Sequence, residues 1–137
     1  MKNKYRAMVL SCIDPRFQPV VYNYLKRKKL IGKYSAFTIA GSAIGVTAPK
    51  FKKWRKTFWD NLETSIKLHK IKKLIVINHC DCGAARIING KKNFNKSNEL
   101  SIHKISFIKL KKKFKNKYPN LNIETKLISL NKKVEKF

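Results

Sequence analysis

Leu74-Ile75-Val76-Ile77 is an unbroken apolar run, with lysines before it and Asn78-His79 after it. A short run of this kind is a strand covered on both faces, and such strands belong to parallel sheets flanked by helices. The rest of the chain keeps to that plan. Tyr5 to Ser11 reads as a first apolar strand, and Pro15 breaks the chain after it. Pro19 to Lys29 reads as a helix with Val20, Val21, Tyr24 and Leu25 inward, ended by Gly32. Tyr34 to Ala40 is a second strand, carried by the β-prone Phe37 and Ile39. Gly41-Ser42-Ala43-Ile44-Gly45 is a loop of small residues. From Pro49, which suits a first helical turn, Phe51, Trp54, Phe58, Leu62, Ile66 and His69 recur at three- and four-residue spacing. They form one stripe of a long amphipathic helix. Gly83 to Ile88 begins another helix, and 90–98 is a polar, mobile loop. Ile102, Ile105, Ile108, Leu110 and Phe114 sit on a further helix, which Pro119 stops. Leu121 to Leu130 is a last strand, and the charged tail to Phe137 frays or pairs with a partner. The alternation predicts a single α/β domain over residues 1–137, with a mainly parallel four- to five-stranded sheet and helices on both faces.

Composition narrows the setting. The chain has 137 residues, 43% of them hydrophobic, enough for one packed core. No apolar run approaches the ~20 residues of a membrane span. The basic N-terminus is followed only by Ala7-Met8-Val9-Leu10, so a secretory signal is not expected. Three cysteines, an odd number, favour a reducing cytoplasmic setting and metal or catalytic roles over disulfides. The net charge of +26 admits two readings. One is a nucleic acid or another anionic surface as partner. The other is compositional drift: only Arg6, Arg16, Arg27, Arg55 and Arg86 are arginines, and the Lys/Asn/Ile excess is what an AT-rich genome produces. Readers of phosphates and bases favour arginine's planar fork, so drift is preferred. On either reading the field draws small anions toward a cleft.

Two motifs fall where strands should end, Cys12-Ile13-Asp14-Pro15-Arg16 and His79-Cys80-Asp81-Cys82-Gly83. In a doubly wound sheet the first and third strands are often neighbours, and ligands bind at carboxyl ends where the winding reverses. Zinc takes thiolate and imidazole in a tetrahedron and keeps one place open when catalytic. Cys12, His79 and Cys82 would supply three ligands, leaving a water in the fourth place. Asp14 and Arg16 follow at alternate positions, which share a side in extended chain. A bidentate Arg16 would keep the Asp14 carboxylate an acceptor that orients the zinc-bound oxygen. Zinc brings the pKa of its water to ~7.

Blander readings stand beside these. Cys12 and Cys82 taken singly are small buried hydrophobes, and Asp14–Arg16 is a structural salt bridge. Asp14 could bind zinc directly and close the site. Cys80 is a packed thiol that competes with Cys82 as ligand. Asp81 bonds nearby backbone amides and holds the turn. His69 is a core or interface histidine, and His103 has no assigned role. Trp54, Phe58 and Trp59 are core or dimer contacts. Arg86 is a solvated arginine before it is an anion holder.

The paired motifs resemble the β-class carbonic anhydrases, whose signature is Cys-x-Asp-x-Arg followed by His-x-x-Cys. Gly83, the strand at Leu74–Ile77 and Ala40-Gly41 are also similar, and the likeness runs from about residue 5 to residue 90. The resemblance implies one zinc ion per chain on Cys12, His79 and Cys82, with Asp14 and Arg16 as a catalytic dyad. It implies a lyase that reversibly hydrates carbon dioxide to bicarbonate, working as a homodimer or a larger homo-oligomer with the metal near the subunit interface. Three departures accompany it. The chain starts almost at the first strand, so the family's N-terminal clasping arm has no counterpart. The substrate-contacting glutamine that precedes the first motif has none either. The family's Arg-Asn-Ala-Gly is here Thr38-Ile39-Ala40-Gly41, which changes the pocket wall. Two other classes fit the same residues: a zinc hydrolase of carbonyl sulfide or carbon disulfide, and a non-catalytic zinc protein binding nucleic acid through its lysines.

Overall fold

In the computed structural model, which describes residues 4–137, β1 (Ala7–Ser11) and β3 (Lys73–His79) lie side by side at the centre of one sheet. Around them run α1 (Gln18–Arg27), β2 (Tyr34–Thr38), α2 (Ala43–Thr47), α3 (Arg55–His69), α4 (Gly83–Asn89), α5 (Lys96–Lys117), β4 (Asn122–Ile128) and β5 (Val134–Lys136). The sheet order is β2-β1-β3-β4-β5, parallel except for β5, which runs antiparallel to β4. This is the expected mainly parallel sheet with helices on both faces. The described residues contain no helix long and apolar enough to cross a membrane.

The apolar runs are double-sided for a visible reason. Successive side chains of a strand point to opposite faces. Met8, Leu10, Leu74 and Val76 meet Phe58, Leu62, Phe107, Leu110 and Phe114 of α3 and α5 on one face. Ala7, Val9, Ile75 and Ile77 meet Val21, Tyr24 and Leu25 of α1 on the other. With both faces filled, β1 and β3 have no polar alternation to show. From β1 the chain winds outward to β2 and then crosses back to β3. The winding therefore reverses between β1 and β3, and both strands deliver their carboxyl ends there.

Several local expectations are corrected. The small-residue loop contains a short helix, α2, whose residues Ala43, Ile44, Gly45 and Val46 are buried. The long helix from Pro49 is two pieces. A 3-10 turn spans Pro49–Trp54, Phe51 breaks it with φ −109° and ψ 25°, and α3 starts only at Arg55. Helix α1 stops before Gly32, because Lys29 itself turns left-handed at φ 59°. The polar 90–98 segment ends early in α5, where the Asn95 side chain accepts the Asn98 amide and caps the helix. The charged tail pairs within the chain as β5. On α5, Leu110 and Phe114 are buried as expected, whereas Ile105 and Ile108 are 50% and 57% exposed. The buried face is instead continued by Glu99, His103 and Ser106.

Candidate metal centre

Cys12 follows the last residue of β1, and His79 is the last residue of β3. Cys82 stands immediately before α4. One ligand atom from each of the three lies within 4.8 Å of the others, and all three residues are buried. Cys80 is not part of that group; its amide donates to the Ile128 carbonyl at 2.8 Å. Asp81 then turns left-handed at φ 57°, which carries Cys82 back toward Cys12. The backbone thus brings Cys82, and not Cys80, into the cluster.

The ring of His79 is fixed from two sides. Phe17 stacks on it with centroids 4.2 Å apart. Its Nδ1 lies 2.8 Å from the Cys80 carbonyl, which can only accept, so Nδ1 carries the proton and Nε2 presents a lone pair. That Nε2 is buried, without a hydrogen-bond partner, and 3.8 Å from Asp14 Oδ2. An orphaned buried acceptor costs about 1–3 kcal/mol. Arg55 Nε and Trp59 Nε1 are orphaned as well, but both are N–H donors and cannot bind a cation. Two cysteine sulfurs and an imidazole lone pair turned toward each other are a donor set that a metal ion fits.

The hydrogen bond from Cys82 pulls the Cys12 thiol well below its ordinary range, against burial; His79 and the Gly41 amide, 3.3 Å from the sulfur, assist. Cys82 is pushed up, first as the donor in that same contact and then by burial. The opposite directions come from one and the same contact between the two sulfurs. For His79, burial opposes the imidazolium, but the Cys12 sulfur, the Cys80 carbonyl and Asp14 outweigh it and raise the pKa.

Asp14 and Arg16 meet as a bidentate pair, but the local chain is not extended. Asp14 caps the 3-10 turn Pro15–Phe17, accepting the Arg16 amide at 2.9 Å. The guanidinium closes on the same carboxylate, with Nε 3.1 Å from Oδ1 and Nη2 2.7 Å from Oδ2. Arg16 holds the Asp14 carboxyl below the usual carboxylate range despite some desolvation. Arg16 also donates to Asp81, through Nη1 to Oδ2 at 2.9 Å and through Nη2 to its carbonyl at 3.0 Å. The two motifs are therefore tied together outside the cluster. Arg86 lies over the Phe94 ring at 4.4 Å, and its Nη2 is 3.7 Å from Asp81. Beside the cluster opens a cavity of about 410 Å³, walled by Ile13, Ala40, Phe51, Trp54 and Ile87, with Cys12 and Asp14 in its lining. Gly41 at φ 80° lets this wall approach α4, because a Cβ there would sit 2.6 Å from that of Ala84.

Sequence reasoning missed three supports. Gln18 donates to the carbonyls of Cys12 and Asp14 at 2.8 and 3.1 Å and pins the first motif. Glu99 accepts the amides of Asp81 and Cys82, both at 2.9 Å. It does the work expected of Asp81, whose own carboxylate turns outward to Arg16. His103 backs Glu99 through Nε2 at 3.0 Å, and its Nδ1 is 2.9 Å from Asn78 Nδ2. Asn78 Oδ1 in turn accepts the Ala43 amide at 3.1 Å. A signal existed: Glu99, His103, Leu110 and Phe114 share one helical face. His69 is not near the cluster; it stacks on Tyr5 and lies 3.3 Å from Ser35 Oγ.

A family model described as "Putative carbonic anhydrase" matches residues 1–135. An uncharacterized protein of Rickettsia conorii is 28% identical over 134 residues, covering 97% of this chain and 72% of its own length. Among solved structures, the carbonic anhydrase from Glaciozyma antarctica aligns with a TM-score of 0.63 at 18% identity, covering 99% of this chain and 83% of that one. One of two tetrameric β-carbonic anhydrases from Sordaria macrospora aligns with a TM-score of 0.68 at 9% identity, covering 99% and 82%. At such identities the structural likeness speaks for the fold alone, whereas the family match spans nearly the whole sequence. With a β-carbonic anhydrase fold and a buried Cys-His-Cys group at its switch point, this chain belongs to the carbonic anhydrase family whose model it matches.

Proposed function

We propose that the protein is a zinc-dependent carbonic anhydrase, a lyase that reversibly hydrates carbon dioxide to bicarbonate. Cys12, His79 and Cys82 hold one zinc ion per chain, and Asp14, set by Arg16, is the catalytic carboxylate. The observation that carries this reading is the buried, partnerless Nε2 of His79, turned toward two cysteine sulfurs and the Asp14 carboxylate at the edge of an open cavity. Cys12, His79 and Cys82 would hold the ion through two sulfurs and one imidazole nitrogen, a donor set that suits zinc. The Lewis acidity zinc supplies when bound lets a water lose its proton near neutral pH.

The chain's own groups do the rest. Both Asp14 oxygens accept from Arg16, and the lowered pKa keeps the carboxylate ionised. At neutral pH Oδ2 therefore accepts a hydrogen bond and does not donate one. It orients the attacking water rather than storing a proton. The apolar wall of Ile13, Ala40, Phe51, Trp54 and Ile87 suits a neutral apolar substrate held next to that corner. The same reading makes residues 1–137 one zinc-binding domain that works as a homodimer or larger homo-oligomer in a reducing cytoplasm.

Stopped-flow measurement of carbon dioxide hydration tests this, on protein carrying one zinc per chain. The expected result is a rate well above zinc-free protein, with Asp14→Asn retaining zinc and losing about 100-fold or more in kcat. Undiminished turnover in Asp14→Asn would remove Asp14 from the mechanism. No turnover in zinc-loaded wild type would remove the reaction.

A further inference from the structure

At the end of the sheet opposite the metal centre lies a second cavity, of about 510 Å³, whose charged lining residues are all cations. Arg6, Lys28, Lys29, Lys33, Lys72 and Lys73 line it. Their backbones are laced together. Arg6 donates its amide to the Lys33 carbonyl at 2.7 Å, Lys72 to Arg6 at 3.2 Å, and Asn122 to Lys72 at 2.9 Å. Arg6, Lys33, Lys72 and Lys73 are therefore presented at hydrogen-bonded strand entries, and Lys28 and Lys29 by the turn that closes α1. β3 separates the cavity from His79 by about 20 Å at ~3.3 Å per residue.

Little acid answers these charges. Of the seven acidic residues in the chain, Asp14, Asp81 and Glu99 surround the metal centre, Asp60 and Glu63 pair with Lys56 and Lys67 on α3, and Glu135 lies on β5 opposite Leu127. Glu124 reaches the cavity through Lys73 and is shared with Lys126. The other five cations have no ion-pair partner among the described residues. Like charges gathered in a concave wall raise the local potential and concentrate anions. The size suits a small molecule. Tyr5, the aromatic residue of the lining, already stacks on His69 with centroids 4.4 Å apart. That ring face is not a platform for stacked bases. Lysine offers point charges for phosphate oxygens rather than the fork that reads base edges.

We propose that this cleft binds a linear triphosphate group, as inorganic triphosphate or as the phosphate chain of a nucleoside triphosphate. The inference is independent of the reaction assigned to the metal centre. Calorimetry at fixed salt tests it with inorganic triphosphate, ATP, orthophosphate and a mixed-sequence DNA duplex. Two variants with equal net charge are compared: Lys29→Glu/Lys33→Glu/Lys72→Glu in the cleft, and Lys91→Glu/Lys104→Glu/Lys112→Glu on exposed sites elsewhere. The expected result is one triphosphate per chain, bound more tightly than orthophosphate. The cleft variant should weaken it at least about tenfold and the distant variant less than about twofold, since charge-assisted contacts are local. ATP binding as tightly as triphosphate assigns recognition to the phosphates; tighter ATP adds the nucleoside. Equal weakening in both variants would overturn the proposal, as would absence of triphosphate binding or duplex affinity that tracks net charge alone. Should the triple reversal unfold, Lys29→Gln/Lys72→Gln carries the same comparison.

Discussion

Two histidines are buried at almost the same depth, His79 at 2% exposure and His103 at 0%, yet they face opposite chemistry. Their hydrogen-bond partners assign opposite tautomers. His79 gives its Nδ1 proton to the Cys80 carbonyl and leaves Nε2 bare among sulfurs. His103 gives its Nε2 proton to Glu99 and spends its Nδ1 lone pair on Asn78. A buried polar ring is tolerated when its atoms are paired. His103 meets that condition inside the chain, and His79 does not. What distinguishes the candidate ligand from the structural histidine here is the unspent lone pair, not burial or residue type.

The largest effect that follows is on metal content. His79→Ala should retain no stoichiometric zinc after dialysis, measured by atomic emission, because only two cysteine ligands remain. His103→Ala should still bind zinc, about 10–100-fold more weakly, as is typical when an outer partner of a ligand loop is lost. The order reverses for stability. Removing His103 leaves the buried Glu99 carboxylate without its Nε2–H donor and Asn78 Nδ2 with only Ser106 Oγ as acceptor, a loss of about 1–3 kcal/mol in denaturant unfolding of the metal-free chain. If both variants lost zinc alike, the two rings would not differ in kind.

The contrast also marks how far the sequence could be read. The strand alternation was legible because β1 and β3 are apolar on both faces, and the ligand motifs because their spacing is local to two strand ends. Glu99, His103 and Gln18 were not, since each acts on groups contributed by a different element. Their partners are the amides of Asp81 and Cys82, the Asn78 side chain, and the carbonyls of Cys12 and Asp14. A helix whose buried stripe begins with Glu99 and His103 and leaves Ile105 exposed violates hydrophobic patterning, and such violations gather at functional sites. The 3-10 turn at Asp14 was hidden differently. Extended chain and a capped turn both bring residues 14 and 16 together, and only the Arg16 amide bond to Oδ1 separates them.

The smallest effect lies in the pH dependence of the Glu99 pairing. Burial raises the Glu99 pKa, but hydrogen bonds from His103 and the Cys82 and Asp81 amides outweigh it, so the folded value falls below the ordinary 4.5. A group depressed on folding binds its proton more readily in the unfolded chain. It therefore stabilises above its unfolded pKa, and that contribution is lost as pH falls below about 4.5 toward the folded value. For one carboxylate the slope is at most about 1.4 kcal/mol per pH unit. Glu99→Gln should remove this slope in metal-free protein, and the titration of Asp14 and the ligand thiols cancels between the two chains. The variant should also be less stable at neutral pH by about 1–3 kcal/mol, since a neutral amide accepts more weakly from two amides and a histidine. Urea unfolding from pH 6 downward in both chains decides it. Parallel curves would mean that Glu99 is not ionised when folded, and His103 would then be holding a neutral carboxyl rather than completing a charged clamp on the Cys82 loop.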